Sequence, residues 1–119
     1  RACTGARRPV KRIHWQPLAT QDAREAADWY ASQGGLALEL AFIAELETAI
    51  DLIARHPASG SVRHARLFPE LPAPLRFHAL KRFNQFLIYY LELTDHIEIV
   101  RVWHVARGLD ALSEETDNE

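Results

Sequence analysis

Arg101, His104 and Arg107 stand in or just beyond an otherwise apolar run, Ile97-Glu98-Ile99-Val100-Arg101-Val102-Trp103-His104, where burial alone would not place cations or an imidazole. A second basic set, Arg63, Arg66, Arg76, Lys81 and Arg82, precedes the apolar stretch that opens at Phe86. Cleavage of RNA needs a base for the 2'-hydroxyl, an acid for the leaving 5'-oxygen and cations for the phosphate. His104 with Tyr89 or Tyr90 supplies the first two residue types, and Arg76, Lys81 and Arg82 supply the third. Both tyrosines, however, lie in an unbroken apolar run that suits core or interface aromatics. In a regular strand Arg101 shares side-chain parity with Ile97, Ile99 and Trp103, and His104 with Val100 and Val102, so Arg101 and His104 point to opposite faces. Arg101 equally suits a core-edge cation paired with a helix carboxylate such as Asp28 or Glu47. His104 equally suits a hydrogen bond at a strand end, and Arg107, beside Gly108, a turn residue holding carbonyls.

Other chemistries find less support. The six histidines (His14, His56, His64, His78, His96 and His104) show no i, i+4 pair and there is no CxxC, so no metal and no cofactor is expected. Gly34-Gly35 lacks the further glycines or the Gly-Lys-Ser/Thr of a phosphate cradle and reads as a helix terminator. Cys3 and the serines have no nucleophile signature. Glu45 and Glu47, two apart, cannot face one another on a helix.

The elements that must position these residues follow from periodicity. Val10 to Trp15 alternates as a short edge strand. Pro17 suits the first turn of a helix, and Ala19, Ala23, Ala26, Ala27 and Tyr30 recur at helical spacing. A second helix is expected from about Leu36 to Arg55, with Phe42, Leu46, Ala49, Ile50 and Ile53 as its stripe and Pro57 as its stop. The Gly-Gly link makes the pair an antiparallel hairpin. His56 to Pro74 reads as loop with a short turn near Phe68–Leu71. Leu75 to Phe83 reads as a strand, followed by two strands apolar on both faces, which marks them as central in a covered sheet. The expected class is α+β in the order β-α-α-β-β-β, the last three strands forming an antiparallel meander in one small twisted sheet.

At 119 residues, 48% hydrophobic and 25% charged, the chain has the make-up of one globular domain. That domain is expected over residues 10–109. Residues 1–9 read as an unstructured, processed or trimmed end, and 110–119 as an acidic, unstructured tail. No apolar run suits a membrane span, and the lone cysteine favours a reducing cytoplasm. The net charge of -2 hides segregation: residues 55–82 hold six Lys/Arg and one acid, whereas 83–119 hold eight acids and two Arg. A basic middle of this kind suits an acidic partner.

The segment LIYYLELTDHIEIVRVWHVARGL resembles the C-terminal sheet of the ParE branch of the RelE/ParE toxin superfamily, whose members commonly end in a pattern of the type LIFYR…(G)IEIVRVLHGARD. The matching residues are Leu87-Ile88-Tyr89-Tyr90, Ile97 to Val102, and His104-Val105-Ala106-Arg107. Upstream, ADWYASQGG and FIAELETAIDLIARHPASG are similar to the family's helical hairpin and its exit. Leu91, Trp103, Val105 and Gly108 depart from the commoner Arg, Leu, Gly and Asp. The resemblance implies a cytoplasmic type II toxin bound by a cognate, ParD-like antitoxin whose C-terminal segment wraps it in a hetero-oligomer. The ParE branch acts on DNA gyrase by protein contact and the RelE branch cleaves mRNA on the ribosome. RelE-like catalysis relies on a dense set of Lys, Arg and terminal Tyr or His; an acidic tail and no Tyr after Trp103 favour the ParE branch, with a ribosome-dependent endoribonuclease using His104 as the alternative. On this reading Arg101, Trp103, His104 and Arg107 contact the target or partner, with Arg76, Lys81 and Arg82 as a basic rim.

Overall fold

The computed structural model describes residues 10–117, so the expectations for residues 1–9 and for the last two residues fall outside it. The chain runs β1 (Arg12–Trp15), α1 (Pro17–Arg55), β2 (Arg76–Ala79), β3 (Phe86–Glu92), β4 (His96–His104) and α2 (Gly108–Asp117), with short 3₁₀ turns at Pro57–Ser59, Ala65–Leu67 and Val105–Arg107. The four strands form one sheet in the order β1-β4-β3-β2. β2, β3 and β4 are the expected antiparallel meander, and β1 joins at the edge, parallel to β4 through Arg12↔His96 to Trp15↔Ile99. The class is α+β.

α1 is one assigned helical segment, and its continuity is broken at the Gly-Gly pair. Gly34 (φ -141, ψ 15) and Gly35 (φ 72, ψ -166) are non-helical, the second in a region that only glycine adopts freely. The two arms fold back on one another. Tyr30 meets Phe42 at 5.1 Å between ring centroids, while Ala23 and Ala27 share a groove with Ile43, Leu46 and Ile50. Pro17 occupies the first helical turn without giving up a hydrogen bond, and the Gln16 amide bonds to the Ile99 carbonyl at 3.0 Å, tying the helix start to β4.

The arms lie on one face of the sheet. Ala19, Ala26, Ala27, Tyr30, Phe42, Leu46 and Ile53 pack against Phe86, Ile88, Tyr90, Ile97, Ile99 and Val102. The opposite face carries a second cluster of Phe68, Leu75, Tyr89, Leu91, Val100, Trp103 and Leu112. Covered on both sides, β3 and β4 are apolar throughout, as their sequences require. The second cover comes from the Pro-rich loop and from α2. The segment expected as an unstructured acidic tail is thus helical over 108–117, because Leu112 finds a buried seat beside Trp103 and Val100.

Strand parity also departs from the regular expectation. The β3–β4 register shifts between Tyr89↔Arg101 and Tyr90↔Ile99, a bulge that inserts one residue on β4. Ile97 and Ile99 therefore face the helices along with Val102, whereas Val100 and Trp103 face away.

Candidate functional site

The bulge sets the Arg101–Arg107 region. β1 pairs with β4 only as far as Ile99, so the next part of that edge looks toward α1. There Asp22 fills the gap: it accepts the Arg101 guanidinium at 2.7 and 2.8 Å and the Val102 amide at 3.1 Å. The expected helix carboxylate is present, but it is Asp22 rather than Asp28 or Glu47, because Asp22 shares the inward stripe of Ala19 and Ala26. Arg101 is only 2% exposed.

Trp103 lies between two cations. The Arg101 guanidinium is 4.8 Å from its ring and that of Arg107 4.2 Å, distances typical of cation–π contact. Its indole donates to the Gly108 carbonyl at 3.1 Å. Glu115 of α2 pairs with Arg107 and reaches Arg101 at 3.6 Å. Arg101, Trp103 and Arg107 thus stack together, Arg101 and Trp103 buried beside α2 and Arg107 exposed at its edge.

His104 stands apart from it. Its Nδ1 accepts the Ala106 amide at 3.0 Å, which caps the following turn, and its ring meets Phe86 edge-on at 5.0 Å. With Asp22, Glu25, Ala26, Trp29, Phe86, Val102 and Arg107 it lines an open groove of about 370 Å3. Trp29, 55% exposed, forms one wall.

The tyrosines are structural. The Tyr90 hydroxyl donates to the Pro57 carbonyl and accepts the Gly60 amide at 3.0 Å, and burial raises its pKa. A Cβ on Gly60 would collide with that hydroxyl. Arg76 donates to the Ala58 and Gly60 carbonyls, at 3.2 and 3.0 Å, and so clamps the same loop rather than forming a rim. Tyr89 meets His64 Nδ1 at 2.8 Å, and its hydroxyl is pushed up to about 12 by burial. His64 stacks on Phe77 and is held below the ordinary histidine value by burial and then by Arg63.

Lys81 and Arg82 are exposed in the β2–β3 turn, where the Arg82 amide bonds to Glu45. They edge a groove of about 580 Å3 floored by Ala41, Ala44, Ala49 and Leu52 of the second arm. A comparable groove of about 590 Å3 runs between β1 and the hairpin, lined by Val10, Ile13, Trp15, Ile43 and Ile50. No described group of three or more His, Cys, Asp or Glu is placed to hold a metal ion.

The parts played here by Asp22, Leu112 and Glu115 were not anticipated from the sequence. Asp22 alone left a signal, its spacing from Ala19 and Ala26, which puts it on the buried stripe.

The fold is similar to that of a solved structure described as the chromosomal ParDE TA system from P. aeruginosa, with a TM-score of 0.64 at 19% identity over 80% of this chain and 96% of that one. The family follows from sequence: the model described as ParE toxin of type II toxin-antitoxin system, parDE, matches residues 13–109, and the chain belongs to that family. No curated protein matches it.

Proposed function

We propose that the chain is a gyrase-directed toxin that acts by protein contact in the cytoplasm and is neutralised by a cognate antitoxin in a hetero-oligomer. The observation that carries this reading is the state of the groups an RNA-cleaving mechanism would use. Tyr89 and Tyr90 are fully buried and hydrogen-bonded, Arg76 and Arg101 are held by carbonyls and by Asp22, and His104 caps a turn. No acid–base pair among them shares an open surface. What the surface offers instead are apolar grooves beside the hairpin, one with the Lys81–Arg82 rim, which suit an acidic antitoxin segment that orders as it binds. Among the described residues no helix is long and apolar enough to cross a membrane.

The test is pulse labelling of cells after induction without antitoxin. DNA synthesis falls before protein synthesis if gyrase is the target. Protein synthesis falls first if the chain is a ribosome-dependent endoribonuclease, and His104→Ala then abolishes the arrest.

A further inference from the structure

Three residues assigned to target contact are held in or under an internal contact. Trp103 is 1% exposed and Arg101 2%, and Arg107 is paired to Glu115. The element that meets all three is α2, which covers Trp103 and Arg101 and pairs with the exposed Arg107, and three different ties hold it there. Leu112, 1% exposed, seats against Phe68, Val100 and Trp103. Glu115 faces both guanidinium groups. The Gly108 carbonyl takes the Trp103 indole proton. α2 lies almost wholly beyond the stretch that matches the family, which ends at residue 109.

The composition beneath the cover is that of an interaction hot spot. Arginine and tryptophan dominate such sites, with apolar neighbours that exclude water. Here Trp103, flanked by Arg101 and Arg107, clusters with Leu75, Leu91 and Val100. A helix of ten residues is marginal by itself in water. Its ion pair to Arg107 is about half exposed on both sides and correspondingly weak. It starts at Gly108, whose φ of 80 and ψ of 165 put the hinge in a region reserved for glycine.

We propose that α2 is a cis-acting acidic cover over the Arg101–Trp103–Arg107 site, and that the site takes an acidic segment of a protein partner when α2 swings away at Gly108. This rests on the reading of those three residues as the target-contacting set. α2 itself shows the ligand chemistry: a short helix with one buried leucine and a carboxylate one turn later, Leu112 and Glu115. A partner must compete with it, so apparent affinity is reduced by the fraction of molecules that are open.

The probe is a labelled synthetic peptide with the sequence of residues 108–119, offered to the full chain. Two full-chain variants release the cover. Leu112→Ser with Glu115→Ser removes both anchors, and Glu115→Lys alone changes only a half-exposed side chain and leaves the core intact. Hydrogen exchange of the β3 and β4 amides checks that each stays folded. The proposal expects the double variant to bind the peptide at least tenfold more tightly than the parent, with Glu115→Lys between them, and Arg107→Glu in the double variant to abolish that binding. Equal peptide affinity for parent and folded variants overturns it. So does protection of the α2 amides as strong as that of β4 in the parent, because the cover would then not open. Gyrase inhibition separates this from the reading beneath it. If the released variant binds peptide but neither protein touches gyrase, the target assignment fails and the cover stands. If both inhibit gyrase at the same concentration, the cover has no regulatory role and the proposal fails.

Discussion

Asp22 and Arg101 form a two-point ion pair across the open edge of β4, at 2.7 and 2.8 Å, with the Val102 amide as a third donor to the same carboxylate. The pair lies where β1 stops and the bulge begins, so it seals an edge that would otherwise present an unpaired amide. Removing one partner of a buried pair leaves the other uncompensated, typically by about 3–5 kcal/mol. Asp22→Ala is therefore expected to lower unfolding free energy by roughly 3 kcal/mol, read from urea denaturation. Asp22→Asn, which keeps one acceptor for Val102, is expected to lose less. A loss below that of an ordinary surface substitution would show the pair to be dispensable.

Tyr90 anchors the loop that leaves the hairpin. Tyr90→Phe strips the partner from the Gly60 amide and the Pro57 carbonyl, an expected loss of about 1–3 kcal/mol. Gly60→Ala drives a Cβ into the tyrosine hydroxyl and is expected to be destabilising in the wild type. Its effect should shrink in part in the Tyr90→Phe background, which removes the shortest contact, with the hydroxyl oxygen, but keeps the ring carbons Cζ and Cε1 at 2.8 and 2.9 Å. Additive effects in the double-mutant cycle would contradict this contact.

Two histidines pull stability in opposite directions with pH. His64 is held below the ordinary value of 6.5, so in acid the unfolded chain takes its proton first. Stability from His64 is thus lost as pH falls below about 6.5 toward the lower folded value. His96 is raised above 6.5, chiefly by its hydrogen bond to Asp95. Its contribution is fully present below 6.5 and is lost as pH rises through the higher folded value. His64→Gln should flatten the acid limb of a denaturation midpoint plotted against pH, and His96→Gln should steepen it. The same slope in all three proteins would remove both residues from the account.

Lys81 and Arg82 edge the apolar groove of the second arm with exposed side chains. Replacing both with Glu is expected to weaken cognate antitoxin binding by about tenfold or more, with most of the loss in association rate and a reduced salt dependence. Titration by calorimetry at two salt concentrations checks this, and unchanged affinity would place the antitoxin elsewhere.

Much of this architecture was legible because periodic patterns record which face is buried. The alanine stripe from Ala19 to Tyr30 and the Gly34-Gly35 stop defined the hairpin, and the double-sided apolar runs of β3 and β4 announced a sheet covered twice. The material of the second cover was not legible. The 56–74 loop has no period, and α2 holds a single buried leucine in a segment whose acidic composition reads as solvated. The bulge at Val100 inverted part of the expected parity, which no local residue signals. Of the site, Arg101 and Arg107 stood out as cations in or beside an apolar strand, and Trp103 entered only through the family resemblance. Its burial under Glu115 and Leu112 depends on a long-range contact, and Arg76 turned out to be a loop clamp because its acceptors, Ala58 and Gly60, lie 18 and 16 residues away.

The most direct measurement is a supercoiling assay with purified gyrase, relaxed plasmid and the full chain, with and without the cognate antitoxin, alongside mRNA integrity in a translating extract. The account predicts loss of supercoiling or accumulation of cleaved plasmid, reversed by the antitoxin, with mRNA intact. Full gyrase activity together with codon-dependent mRNA cuts would contradict it and move the chain to the endoribonuclease branch.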